Sequence, residues 1–195
     1  MRNCKITAIV LALSLVMCTG AFAQGAQSSG SAPTIASVLN RGLSGIEREV
    51  MGAAEAVPED KYDFSPASSN IPGDFKTPDP VRTMGQQFKH IGDALENYSS
   101  AILGEKPAQN SDENGPKNVK NKSDVINYLK GAFAKAHSAI DTITTQNAVE
   151  PLSGGQRTRL ALAVGMIGHS NNHYGQIIEY LRMNNMVPPE SQPRK

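Results

Sequence analysis

Residues 81–103 read VRTMGQQFKHIGDALENYSSAIL. Val81, Met84, Phe88, Ile91, Leu95, Tyr98 and Ile102 recur at steps of three and four without a break. That spacing lines the apolar side chains along one stripe of a helix, whereas a strand would alternate at every second residue. The segment therefore predicts an amphipathic helix over Val81–Leu103, with one face turned to a core.

The same period recurs three more times. Pro33 to Val57 carries Ile35, Val38 or Leu39, Leu43, Ile46, Val50, Ala54 and Val57 on one stripe. Pro33 suits a first helical turn, and Gly42, Gly45 and Gly52 would allow close helix contact. Ser123 is placed to cap a third helix whose stripe is Ile126, Leu129, Phe133, Ala136, Ile140 and Ile143. Gln156 to Met186 predicts a fourth, with Leu160, Val164, Ile167, Tyr174, Ile178 and Leu181 on its stripe. Pro188-Pro189 ends it, because proline cannot continue the hydrogen-bond ladder. Between them lie a proline-rich loop from Pro58 to Pro80, a polar loop from Gly104 to Lys122, and a turn region from Gln146 to Gly155. No segment reads as a strand. The pattern predicts an all-α four-helix bundle with long loops after helices 1 and 2.

Upstream of the helices the chain changes character. Arg2 and Lys5 precede an almost unbroken apolar run from Ile6 to Met17, and Ala21-Phe22-Ala23 follows. A positive start, a short apolar run and small residues two apart form a secretory signal peptide, with cleavage expected after Ala23. The run is short for a membrane span, which needs about 20 residues. Leu15-Val16-Met17-Cys18 departs from a lipobox at Met17, where a small residue belongs. The expected organisation is a signal peptide over 1–23, a flexible linker over 24–32, a bundle over 33–189 and a tail over 190–195. The expected location is the periplasm or the medium, with no membrane attachment after cleavage.

The 195 residues carry 19 basic and 18 acidic side chains, for a formal charge of +1. Removing the signal takes away Arg2 and Lys5 and leaves −1. A protein that binds nucleic acid by neutralising phosphates needs a strong basic excess, so none is expected as a partner. Both cysteines, Cys4 and Cys18, leave with the signal. The mature chain therefore has no disulfide, no thiol nucleophile and no thiolate ligand.

The histidines carry the chemistry. His169 and His173 are four apart on the fourth helix, one turn from each other on one face. Met166, Gln176 and Tyr180 share that face, and the neighbouring stripe turns the pair inward. Two such imidazoles can grip one ion; a bare pair at this spacing is more often a pair of hydrogen-bonded core or surface histidines. His90, beside Ile91 on the seam of the second helix, would complete a three-histidine site. Neutral imidazole suits zinc, nickel, copper, cobalt or iron(II). Three protein ligands leave positions open for water or substrate, as in catalytic rather than closed zinc sites. Asp93 and Gln176, each one turn beyond a histidine, are candidates to orient a ligand. His137 on the third helix falls on a polar rim. Glu179 and Arg182 are expected in surface or dimer contacts, with Arg182 also a candidate to bind an anionic substrate.

Leu152-Ser153-Gly154-Gly155-Gln156 resembles the signature motif of ABC-transporter ATPases. That motif works beside a phosphate-binding Gly-x-x-x-x-Gly-Lys-Ser/Thr loop, which this sequence lacks. It is read here as a turn leading into a helix.

The string from His169 through His173, Gly175-Gln176 and Leu181-Arg182 to Pro188-Pro189 resembles the last helix of the DinB-like family. Phe88-Lys89-His90-Ile91 is similar to its second-helix histidine segment, and Pro58 to Pro66, with Asp60, Tyr62 and Phe64, to the stretch after its first helix. Tyr174 stands where that family commonly has Arg, and Asn184-Asn185 where it has Gly. The resemblance covers about Thr34 to Pro189. It implies an up-down-down-up bundle, often dimeric, that holds one divalent metal ion through His90, His169 and His173, with zinc or nickel the leading candidates. That family is mostly cytoplasmic, so export is expected from the signal peptide alone. Together they give the expectation of an exported bacterial protein that acts on a small molecule as a metal-dependent thiol transferase or hydrolase. The alternative is a non-catalytic stress protein in which the ion is structural.

Overall fold

Each helix starts where a polar side chain can cap it. In the computed structural model, α1 spans Ile35–Ala56, α2 Met84–Leu103, α3 Lys122–Asp141 and α4 Arg159–Met183. Residues 32–68, 81–107 and 112–193 are described. The signal segment and nearly all of the linker lie outside the described residues.

Thr34 and Thr83 begin α1 and α2 with reciprocal capping boxes, to Ser37 and Gln86. Such a cap satisfies amides that have no partner within the helix. Asn121 caps α3 by accepting from the Asp124 amide, and Thr158 caps α4 by accepting from the Ala161 amide. Several expected boundaries move accordingly. Pro33 precedes the cap of α1 rather than sitting in its first turn. Ser123 lies inside α3, because Asn121 reaches the free amide first. Gln156 belongs to the loop before α4, where Pro151 and Thr158 form an isolated β-bridge. That α4 ends before the prolines also has a local cause: Asn184 closes it and Asn185 takes a left-handed φ of 62°, which asparagine tolerates. Among the described residues no strand forms, and no helix is long and apolar enough to cross a membrane.

Side-chain contacts fix the direction of every helix. On α2 and α4, Gln87 meets Gln176 while Ser99 meets Met166, so the two run antiparallel. On α2 and α3, Gly92 faces Tyr128 and Ser100 accepts from Lys135, so these run parallel. On α1 and α3, Asn40 bonds Asp141 and Lys122 bonds the Val57 carbonyl, an antiparallel pair. On α1 and α4, Gly42 faces Ile167, and Gly52 faces Pro189 just beyond α4, a parallel pair. The bundle is up-down-down-up, with α3 and α4 each packed between α1 and α2. Parallel α2 and α3 need a connection that returns along the bundle. The stretch between them does so, placing Glu113 beside Arg82 and the Val119 carbonyl on Lys89 Nζ.

The core is built from the predicted stripes of three helices. Leu39, Leu43, Ile46 and Val50 of α1, Met84, Phe88, Ile91, Leu95 and Ile102 of α2, and Leu129, Phe133, Ala136 and Ile140 of α3 are buried. Burying a side chain such as Leu, Ile or Phe contributes about 1.5–3 kcal/mol relative to leaving it in water. Val38 is the exposed member of the Val38/Leu39 pair.

The stripe of α4 departs from expectation. Its buried face is Leu162, Ala163, Met166, Ser170, His173, Tyr174, Ile177, Tyr180 and Leu181, while Val164 is 56% exposed. Polar side chains occupy core positions here, so apolar residues alone set the wrong phase. Of the glycines expected at close contacts, Gly42 and Gly52 are at them, where an added Cβ would meet Ile167 and Pro189 at 3.5 and 3.8 Å. Gly45 is not, and the tightest helix contact is at an unexpected glycine. Nothing lies within 4 Å of a Cβ added at Gly45, whereas one at Gly92 would come within 2.5 Å of the Tyr128 ring. The α2–α3 seam therefore depends on a missing side chain at Gly92.

Candidate metal centre

Helix α2 presents His90 on its second turn, and α4 presents His169 and His173 one turn apart. Antiparallel packing brings the three rings together. Their centroids lie 4.5 Å apart for His90–His173, 4.5 Å for His169–His173 and 5.0 Å for His90–His169. One nitrogen from each lies within 4.8 Å of the other two. His90 Nδ1 and His169 Nε2 are buried and have no hydrogen-bond partner. Buried polar atoms are nearly always paired, and two orphans in one cluster fit a group that could hold a metal ion.

The third ring is held from behind. His173 Nδ1 lies 2.8 Å from Gln87 Oε1. An amide oxygen only accepts, so Nδ1 carries the proton and the Nε2 lone pair is free. Gln87 in turn donates from Nε2 to Gln176 Oε1 at 2.8 Å and to the Tyr180 hydroxyl at 3.4 Å. The Tyr180 hydroxyl donates to the Arg82 carbonyl at 3.1 Å. The chain of contacts runs from His173 to the start of α2 and uses the polar atoms that burial would otherwise leave unpaired.

Electrostatics keep the imidazoles neutral. Burial is the largest cause for all three and lowers their pKa values, and the Arg82 charge lowers each further. The other two rings add to the effect on His173, which is pushed down to about 4. At His90 the Glu113 main chain and the Asp93 and Glu113 charges offset part of this. Neutral imidazole is the form that ligates a metal.

His90, His169 and His173 are thus brought together as expected from sequence. Gln176 lies behind His173, reaching it mainly through Gln87, with its own Nε2 3.5 Å from His173 Nδ1. Asp93 is buried one turn beyond His90, accepts from Asn97 at 2.9 Å, and acts on His90 through its charge. His137 lies elsewhere, between Asn40 Oδ1 at 2.6 Å and Glu47 Oε2 at 2.9 Å on α1. Arg182 is exposed and paired with Glu179.

Sequence reasoning missed Gln87, which is 2% exposed. Its signal was there: it falls between Met84 and Ile91 on the stripe that is otherwise apolar, and a polar residue at a core position marks a site. Arg82 and the Tyr180 contact were not legible, because they depend on the α2–α4 register.

The sequence model of the DinB superfamily matches residues 43–177. The chain belongs to the DinB superfamily. The matched span holds all three histidines and most of the four helices. No curated protein matches the sequence significantly. Within this DinB-superfamily bundle, three clustered neutral imidazoles suit a divalent transition metal better than calcium or magnesium, which prefer oxygen ligands.

Proposed function

We propose that this is an exported metal-binding protein in which His90, His169 and His173 hold one divalent transition-metal ion, zinc or nickel by preference, for chemistry on a small molecule. The observation that carries the reading is the convergence of His90 Nδ1 and His169 Nε2, buried and unpartnered, with the His173 ring. Leaving a buried polar atom unsatisfied costs about 1–3 kcal/mol, and an ion among the three nitrogens relieves that cost. When bound, such an ion acts as a Lewis acid and acidifies a coordinated thiol or water, which is the chemistry of thiol transfer and of hydrolysis.

The chain's own residues prepare that site. Gln87 holds His173 in the tautomer that turns Nε2 toward the cluster, and Tyr180 and Gln176 hold Gln87. Burial and the Arg82 charge keep the imidazoles unprotonated at neutral pH. Among the described residues the cluster contains three ligating side chains. A closed structural zinc site has four, so the three-residue set favours the catalytic reading over a purely structural ion. The signal peptide, with cleavage after Ala23, supports a place in the periplasm or outside the cell. The near-neutral charge supports a small-molecule partner rather than nucleic acid.

Bound metal per chain tests the reading. Wild type is expected to carry one ion at pH 7.5. His90→Ala, His169→Ala and His173→Ala are each expected to lose it, and His137→Ala to keep it. Stoichiometric, tight metal in His169→Ala or His173→Ala would overturn the assignment.

A further inference from the structure

At the start of α2, one turn before His90, is a cavity of about 370 Å³ lined by Val81, Arg82, Gln86, Glu113 and Asn114. We propose that this cavity seats the acid group of a small anionic substrate on the Arg82 guanidinium, with the rest of the molecule reaching His90, His169 and His173. The proposal rests on the metal-site reading and names the substrate class for it.

Position is the first argument. Gln86 is one turn before His90 on the same face of α2. Glu113 lies beside both Arg82 and His90. Arg82 is also tied to the ligand cluster from behind, since its carbonyl accepts from the Tyr180 hydroxyl that contacts Gln87. The charge of Arg82 is felt by all three imidazoles. The cavity thus holds the guanidinium and shares Glu113 and the Gln86 turn of α2 with the surroundings of His90.

Chemistry is the second argument. Arg82 Nε donates to the Glu113 carbonyl at 3.1 Å, which orients the guanidinium. Its Nη2 faces Glu113 Oε2 at 3.6 Å, and that carboxylate is on a side chain 91% exposed. A long contact to an exposed carboxylate is weak. It leaves guanidinium donors available for a carboxylate or phosphate, whose geometry the planar fork matches. Glu113 occupies that place in the free protein and would be displaced.

Other anchors are already used. The helix start offers no free amide on its first residues, because Met84 and Gly85 donate to Phe64 and Tyr62 and Gln86 donates to Thr83. Gln86 Oε1 accepts from the Thr83 amide. Lys89 donates to the Val119 carbonyl. Among the described residues that line the cavity, Arg82 is the cation.

The test uses purified zinc-loaded protein, its metal content measured first, and two probes that share a thiol. 3-Mercaptopropionate carries an acid group, and 2-mercaptoethanol does not. Calorimetric titration is expected to show the acid binding about tenfold more tightly, the increment of one charge-assisted contact. Arg82→Gln is expected to keep its metal and to lose that preference. Glu113→Gln keeps the main-chain contact and removes the competing carboxylate, so it is expected to bind the acid more tightly than wild type. Metal-loaded wild type with no preference for the acid overturns the anion site and leaves the metal site standing. So does metal-loaded Arg82→Gln with the preference intact. Should Arg82→Gln fail to fold, Glu113→Gln decides, and unchanged or weaker acid binding there overturns the proposal. Wild type that takes up no metal overturns both readings.

Discussion

Gln87→Leu removes the side chain that orders the third imidazole while keeping its bulk. In the wild type, Gln87 accepts at 2.8 Å from His173 Nδ1 and donates at 2.8 Å to Gln176 Oε1. Leucine does neither, so buried His173 Nδ1 loses its short contact and part-buried Gln176 Oε1 loses its donor. Each group left unsatisfied costs about 1–3 kcal/mol of stability. Metal affinity falls as well. The His173 ring is free to put its proton on Nε2, which blocks the lone pair, and losing an orienting partner typically costs about 10–100-fold in affinity. Two measurements separate these effects. Competition with a chelator gives the zinc dissociation constant, expected to rise within that range. Long-range nitrogen–proton NMR on the metal-free protein reads the tautomer, expected as Nδ1–H in wild type and mixed in the variant. Gln87→Glu is the companion: it can still accept from Nδ1–H but cannot donate to Gln176, so the tautomer survives and stability falls. An unchanged zinc constant and an unchanged tautomer in Gln87→Leu would refute the reasoning.

Three more outcomes are expected. Because the folded-state pKa of His173 is depressed to about 4 from 6.5, the unfolded chain takes up a proton first, and metal-free protein loses stability as pH falls from 6.5 toward 4. His173 alone accounts for about 3 kcal/mol of this; urea unfolding at pH 7 and pH 4.5 should show a drop that shrinks in His173→Asn, and an equal drop in both would refute it. Gly92→Ala, whose Cβ would meet the Tyr128 ring at 2.5 Å, should destabilise by about 1–3 kcal/mol, whereas Gly45→Ala, with open space around it, should stabilise by about 0.5–1 kcal/mol; thermal melts with the opposite ranking would disprove the packing argument. Intact mass of exported protein should correspond to a chain beginning at Gln24, and a mass retaining residues 1–23, or lipid on Cys18, would contradict the export reading.

The four helices were legible in the sequence because each carries apolar residues at helical spacing. On α1, α2 and α3 that stripe is the one buried, which is what makes a helix stable. The spacing of His169 and His173 needed nothing further, since four residues are one turn in any helix. What spacing could not supply was phase and register. The face of α4 was misjudged because Ser170, His173 and Tyr180 fill core positions. A buried polar group is costly without a partner. Ser170 bonds back to the Met166 carbonyl of its own helix, whereas His173 and Tyr180 are satisfied across the bundle by Gln87 and the Arg82 carbonyl. Gln87 acquires its role from Gln176 and Tyr180, about 90 residues away in the chain. Caps were readable as residue types, yet the choice of Asn121 over Ser123 depended on which side chain reached the free amide.

Local periodicity therefore determined that this chain forms a helical bundle and that it carries a histidine pair on one helix face. The seam position of His90 pointed to it as the third ring. The tertiary structure alone decided how closely the three approach, that His137 goes to Asn40 and Glu47, and that Arg82 lines the cavity at the start of α2. The physical reason is range. Helix formation and same-face spacing are set within a few residues, whereas a ligand cluster, a buried relay and a field from one guanidinium exist only once α2 and α4 are packed antiparallel in a single register.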